Sequence, residues 1–311
     1  MQLKHATSAL SISGTTILHN GLPFHAQGLS FFNALYNRSF NASREVKIAW
    51  LRKFKENGIN LLRVWYQWDF VDRTFIDLNE DHTLYTRQGF VRDEYLLRLS
   101  ELLELLDQED MIMELTLFSH EKKPYFSSNT LEFTSLDMAR LLRSYRNLIM
   151  QVWNEESKDW QRCFEAIKGD DPRRLVTNSP GGSGVLGDEL HNRTLDLLTP
   201  HTVRATAGRF WEIAPQQVTG LLATCQKPVI DDEPARDGTP NYGGIPGGTR
   251  PEQHIEQIQR VRAVGGYSVY HHDMFQLGYG SPSVPASGIP DPDFSPFQRQ
   301  VFDYLKANRT W

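Results

Sequence analysis

The chain has 311 residues, with 38 acidic against 33 basic side chains, a formal net charge of −5, and 40% hydrophobic and 23% charged residues. That is a soluble, globular composition. It has no basic block to grip nucleic acid and no run of about 18 apolar residues to cross a membrane. Cys163 and Cys225 lie far apart, so neither a disulfide framework nor a CxxC metal pair is implied. The N-terminus has no apolar stretch of signal-peptide length. The expected location is therefore cytoplasmic, or secreted with a leader removed.

In chain order, ISGTTILHNGLPF (12–24) reads as a hairpin turning at Asn20-Gly21, and HAQGLSFF (25–32) as a first buried strand. IAWLRKFKENG (48–58) has helical spacing and a glycine stop, followed by the strand INLLRVW (59–65). DEYLLRLSELLELLDQED (93–110) is an amphipathic helix and MIMELTLF (111–118) a strand. SLDMARLLRSYRN (135–147) and ESKDWQRCFEAIKG (156–169) read as helices, each followed by a strand, LIMQVW (148–153) after the first and RLVTNS (174–179) after the second. A loop and short helix lead to the strand LDLLTPH (195–201). Then come helix 211–225, strand KPVIDDE (227–233), helix 250–265, strand GYSVYHH (266–272) and a closing helix, 294–308.

Eight short strands, apolar on both faces and each followed by a helix or a longer loop, predict a parallel sheet covered by helices. Eight such units favour a closed (β/α)₈ TIM barrel over an open sheet. Residues 1–311 are expected to form one catalytic domain, with 1–24 as a short N-terminal hairpin capping the barrel. The long irregular segments 66–91, 119–134, 179–194, 234–249 and 273–293 all follow strands, on the face where barrel active sites form.

Two carboxylates end buried strands there. Glu155 follows LIMQVWN and Glu233 follows KPVIDD. A pair of carboxylates across one mouth suits glycoside cleavage, one protonating the leaving oxygen and the other attacking the anomeric carbon. Desolvation and the charge of Glu233 are expected to raise the pKa of Glu155. By alternation, Asp231 shares the face of Glu233, and Asp232 points to a helix. Of the aromatic residues in the mouth segments, Trp68 and Trp211 are the best candidates for sugar platforms. A metal set could be drawn from His120, His201 and His271. However, adjacent His271 and His272 point to opposite faces, and HAQGLS lacks a His-x-His, so neither metal nor cofactor is expected. GGIPGG (243–248) opens no phosphate-cradling helix.

WNE (153–155) and PVIDDE (228–233) resemble the fourth and seventh strand ends of clan A glycoside hydrolases, with family 5, the cellulase-like group, closest. GINLLRVW (58–65), with Arg63, and NGLPFHAQGLSFFN (20–33) are similar to that family's second strand and its opening. His120 and His201 fall where the family places strand-end histidines. The resemblance implies a retaining glycosidase acting on a β-glucan or β-mannan type substrate, with Glu155 as acid/base and Glu233 as nucleophile. Arg63, His120, Asn154, His201, Tyr270, Trp68 and Trp211 would bind substrate.

Three departures stand out. The family's His-x-Tyr, whose tyrosine contacts the nucleophile, reads His201-Thr202-Val203 here. Tyr270, His271 and His272 occupy the region of its eighth-strand tryptophan, and Pro234 follows Glu233. The alternatives are a metal-dependent barrel hydrolase and a silent glycan-binding barrel. A carbohydrate is the expected partner, with no nucleic acid or membrane, for a monomer.

Overall fold

The computed structural model describes residues 7–67, 84–86, 88–119, 126–204, 209–234, 249–271 and 287–311. Strands β1 (Leu10–Ser13), β2 (Thr16–His19) and β3 (Leu22–Pro23) form an antiparallel meander. Asn20 and Gly21 both take positive φ, 52° and 80°, as a tight turn matched to strand twist requires. The expected hairpin gains a third strand because the chain also turns at Gly14, φ 55°.

The main sheet is parallel and seven-stranded. Its strands are β4 (Gln27–Ser30), β5 (Leu61–Trp65), β6 (Ile112–Ser119), β7 (Leu148–Asn154), β8 (Leu175–Thr177), β9 (Ile230–Asp231) and β10 (Tyr267–Tyr270). Their spatial order is β8-β7-β6-β5-β4-β10-β9. Between the outer strands β8 and β9 runs the segment 195–201, expected as a strand. It forms only an isolated parallel bridge, Leu198 with Val229. Its backbone is nonetheless engaged on both sides. Asp196 N–H donates to the Val176 carbonyl at 3.1 Å, Leu198 N–H donates to that of Pro228 at 2.9 Å, and Ile230 N–H donates to that of Leu198 at 2.9 Å.

The helices are α1 (Arg44–Glu56), α2 (Asp93–Gln108), α3 (Ser128–Leu141), α4 (Trp160–Asp170), α5 (Glu189–Thr194), α6 (Phe210–Cys225), α7 (Pro251–Ala263) and α8 (Pro296–Ala307). Helix α3 begins seven residues before the expected 135, because the Ser127 side chain accepts from Thr130 N–H and caps it there. Among the described residues no helix is long and apolar enough to cross a membrane.

Two apolar layers fix the sheet. Outside it, Leu62, Val64, Leu115, Met150 and Val176 pack with helix residues such as Leu51, Leu99, Leu103 and Ile167. Inside, the strand-start residues Leu61, Ile112, Ile149, Leu175 and Ile230 cluster with Leu10 and Ile17 of the meander. Ile17 N–H also donates to the Tyr267 hydroxyl at 3.0 Å. The meander thus plugs the end of the sheet where the strands begin, which leaves the other end for polar chemistry.

Candidate active site

The interior changes character along the strands. Above the apolar plug, Ser30, Arg63 and Glu114 are register partners on β4, β5 and β6, and Thr116 pairs with Gln151 on β7. All five are fully buried. Charges that deep must be paired, and Arg63 is the hub. It donates to Glu233 Oε2 at 2.9 Å, Gln151 Oε1 at 3.0 Å and Asn154 Oδ1 at 2.7 Å. Its Nε lies 3.1 Å from Asp232 Oδ2. Burial works against the charge of Arg63, but Asp232, Glu233 and Glu114 hold it protonated above its ordinary range. Glu114, buried and close to Asp232, is pushed well above the usual carboxylate range, and Asp232 is raised with it.

Glu155 and Glu233 meet at the ends of the strands. With His201, each puts one oxygen or nitrogen within 4.8 Å of the others. The imidazole spans the pair, Nδ1 lying 3.2 Å from Glu155 Oε1 and Nε2 3.3 Å from Glu233 Oε2. Such a spacing could hold a metal ion, yet two guanidiniums already supply positive charge to the same oxygens. Arg63 is one. Arg204 is the other, its Nη2 2.9 Å from Glu233 Oε1 and 3.5 Å from Glu155 Oε1. The environments differ: the Glu233 side chain is 1% exposed and that of Glu155 29%. Glu155 also has a φ of +58°, a left-handed conformation uncommon outside glycine.

Several expectations are corrected. Tyr270 is not in the mouth: its ring packs edge-on against His254 and Phe302 of the helical layer. The following residue faces the acids instead, with His271 Nε2 3.7 Å from Glu233 Oε1 and its Nδ1 3.0 Å from Ser30 Oγ. The Asp231/Asp232 assignment is inverted. Asp231 accepts from Thr202 Oγ1 and from Gln257 Nε2 of α7, whereas Asp232 accepts from Gln151 Nε2 at 2.7 Å in the interior. Alternation fails there because β9 ends at Asp231. The pKa of Glu155 is lowered, not raised. Burial pushes it up and Glu233 adds to that, but the His201 hydrogen bond and the charges of His201 and Arg204 outweigh them.

Trp211 lies half-buried in the first turn of α6, its ring edge-on to Phe210 at 5.0 Å. His120 and Trp68, His272, and the GGIPGG segment lie outside the described residues. Arg204, Gln151 and Glu114 escaped the sequence reading. Arg204 had no motif to mark it. Gln151 and Glu114 were legible only as polar interruptions of apolar strands.

The fold is similar to that of solved glycoside hydrolase family 5 structures. A family 5 glycoside hydrolase from Bacteroides vulgatus matches with a TM-score of 0.68 at 15% identity, over 96% of this chain and 68% of that one. A putative glycoside hydrolase from the same organism matches with a TM-score of 0.68 at 16% identity, over 90% of this chain and 59% of that one. A family 5 mannosidase from Rhizomucor miehei, in complex with mannosyl-fructose, matches with a TM-score of 0.67 at 13% identity, over 96% of each chain. No protein-family model matches the sequence, and no curated protein does.

Proposed function

We propose that this chain is a retaining glycosidase that cleaves a β-linked glucan or mannan type saccharide by double displacement. Residues 1–311 would form one (β/α)₈ catalytic unit, closed by segment 195–201 as the sixth strand. The observation that carries the reading is the approach of Glu155 and Glu233 oxygens to within 4.8 Å at the strand ends. Retaining pairs stand roughly 5–5.5 Å apart, and inverting pairs roughly 6.5–9.5 Å, with room for a water.

The two environments divide the roles. Glu233, gripped by Arg63 and Arg204 and almost sealed from solvent, takes the role of nucleophile. Glu155, open on one side, is the acid/base. It gives its proton to the glycosidic oxygen while a Glu233 oxygen attacks the anomeric carbon from the opposite face and the C–O bond breaks. The aglycone leaves as an alcohol. Glu155, now ionised, takes a proton from water, whose oxygen attacks the anomeric carbon and releases Glu233 as carboxylate. With Oδ1 of Asn154 committed to Arg63, its amide N–H is the group left to bond the sugar 2-hydroxyl. Among the described residues His201 and Arg63 complete the sugar-facing set, with Trp211 as a candidate flank. His120 and Trp68 remain candidates from the sequence.

The decisive experiment separates the two acids. Glu233→Ala should lower turnover of every substrate by about 10⁴-fold or more, and azide should restore part of it as the α-glycosyl azide. Glu155→Ala should lose about 10²–10⁴-fold on natural substrates. It should still glycosylate Glu233 from a dinitrophenyl glycoside, and azide should then release the β-glycosyl azide. Wild-type rates in both variants would sink the assignment, and the reverse azide stereochemistry would exchange the roles.

A further inference from the structure

Arg204 follows the segment 195–201 by three residues, and its guanidinium is engaged on one residue's main chain and two residues' carboxylates. Nε donates to the Glu233 backbone carbonyl at 3.0 Å. Nη2 sits 2.9 Å from Glu233 Oε1, 3.5 Å from Glu155 Oε1 and 3.1 Å from His201 Nδ1. Its own backbone N–H donates to Ser183 Oγ at 3.0 Å, which anchors the segment from behind. The residue is 5% exposed, so water competes little for these contacts. Val203, where the family resemblance puts a tyrosine, instead gives its N–H to Gln217 Oε1 of α6 at 2.8 Å. No phenol therefore reaches the nucleophile from that position.

We propose that Arg204 is a positioning residue for the double displacement, a fixed cation that ties Glu155 to Glu233 and sets both their separation and their ionisation. This rests on the glycosidase reading above. A guanidinium differs from a phenol in kind. It stays charged at every working pH and holds two oxygens in a rigid fork. Its charge reaches Glu155 as well as Glu233, whereas a neutral hydroxyl would leave His201 alone to offset burial and the repulsion of Glu233.

A consequence follows for pH. Among the described residues, the groups facing Glu155 include His201, Arg204 and Glu233; those facing Glu233 include Arg63, Arg204, His201, His271 and Asp232, with Glu114 behind. The first chemical step needs Glu155 protonated. With its pKa below the ordinary carboxylate value, that form disappears as pH rises through the acidic range. The alkaline limb of kcat/KM therefore lies at acid pH. Without the Arg204 charge, His201 alone opposes burial and Glu233 at Glu155, so the Glu155 pKa rises and the limb moves toward neutrality.

The test uses the full chain with Arg204→Gln and Arg204→Lys. The Glu155 carboxyl is titrated by ¹³C NMR in the free protein, its signal assigned by loss in Glu155→Gln. In parallel, kcat/KM is profiled against pH on an alkyl β-glycoside, a poor leaving group that needs the acid. Arg204→Gln should raise the Glu155 midpoint by about one unit or more, with the alkaline limb following. Arg204→Lys should keep the midpoint near wild type but lose about tenfold in kcat at similar KM, since the fork geometry is gone. A midpoint and limb unmoved in folded Arg204→Gln overturn the proposal. Should that variant not fold, unchanged kcat in Arg204→Lys overturns it instead. The titration needs no turnover. A wild-type protein inactive on every β-glycoside would therefore sink the glycosidase reading, while the midpoints still judge the tie between Arg204 and Glu155.

Discussion

Glu155 holds a backbone conformation that costs a non-glycine residue about 1–2 kcal/mol, so its neighbours must enforce it. Asn178, at the end of β8, brackets it: Oδ1 accepts from Trp153 N–H at 3.0 Å and Nδ2 donates to the Glu156 carbonyl at 3.1 Å. One amide thus clamps the chain on both sides of the proposed acid. Asn178→Ala leaves the buried Trp153 N–H without its acceptor, a cost of about 1–3 kcal/mol, and frees the turn. Urea unfolding should show that loss. Kinetics should show kcat reduced by about 10²-fold with KM little changed, because misplacing a reacting group by about 1 Å costs that much. Wild-type kcat in the variant would mean that the left-handed turn is self-supporting. In the sequence, Glu155 and Glu233 were legible because each ends an apolar strand, and Asn154 and Arg63 through the family resemblance of WNE and GINLLRVW. Asn178 and Arg204 were not: each acts through backbone geometry or across the sheet, and neither leaves a pattern in its own segment.

The scale of the element explains where period-two reasoning broke. Gln151 and Asn154, three residues apart on one strand, both reach Arg63, and so do the adjacent Asp232 and Glu233. Strand ends at the mouth abandon strict alternation to bring more side chains inward, which a sequence pattern assumes away. The residue displaced outward at β9, Asp231, is fully buried against α7, and burial lifts its pKa from 3.8 to about 6 despite bonds from Thr202 and Gln257. The sign is that of a carboxylate whose folded pKa is raised. Folding holds the extra proton between about 4 and about 6, so this group's contribution to stability falls as pH rises across that window and stays low above it. Asp231→Asn removes the titration. The new amide still accepts from Thr202 and can donate to Gln257 Oε1, which has no hydrogen-bond partner among the described residues. The variant should gain up to about 3 kcal/mol at pH 7 and little at pH 4, read from urea unfolding at both values. An equal effect at the two pH values would show that Asp231 is not protonated across that window.

At the scale of the molecule, seven of the eight expected strands are regular, and the eighth is the one with the least to offer a ladder. LDLLTPH ends in Thr-Pro-His, and Pro200 has no N–H to give to a neighbour. The segment still binds on both sides, to Val176 through Asp196 and to Pro228 and Ile230 through Leu198, and Thr177 Oγ1 donates to the Leu197 carbonyl at 2.9 Å. Leu197 joins the inner apolar plug, while Leu195 and Leu198 pack with Val218, Leu221 and Val261 of α6 and α7. Apolar side chains on both faces and backbone bonds at both edges are what the proposed closure of the barrel by this segment requires. Closure matters for chemistry. Glu155 follows β7 and Glu233 follows β9, so their spacing is set across this joint, with His201 at the end of the joining segment. Amide hydrogen exchange tests it. In a closed ring the Leu198 and Ile230 amides should open only with the β6–β7 core amides, near the global unfolding free energy. In a sheet open between β8 and β9 they should exchange by local fraying, orders of magnitude faster. Fast exchange there would mean that the two acids sit on opposite sides of a gap that breathes, and a fixed separation suited to double displacement would lose its structural basis.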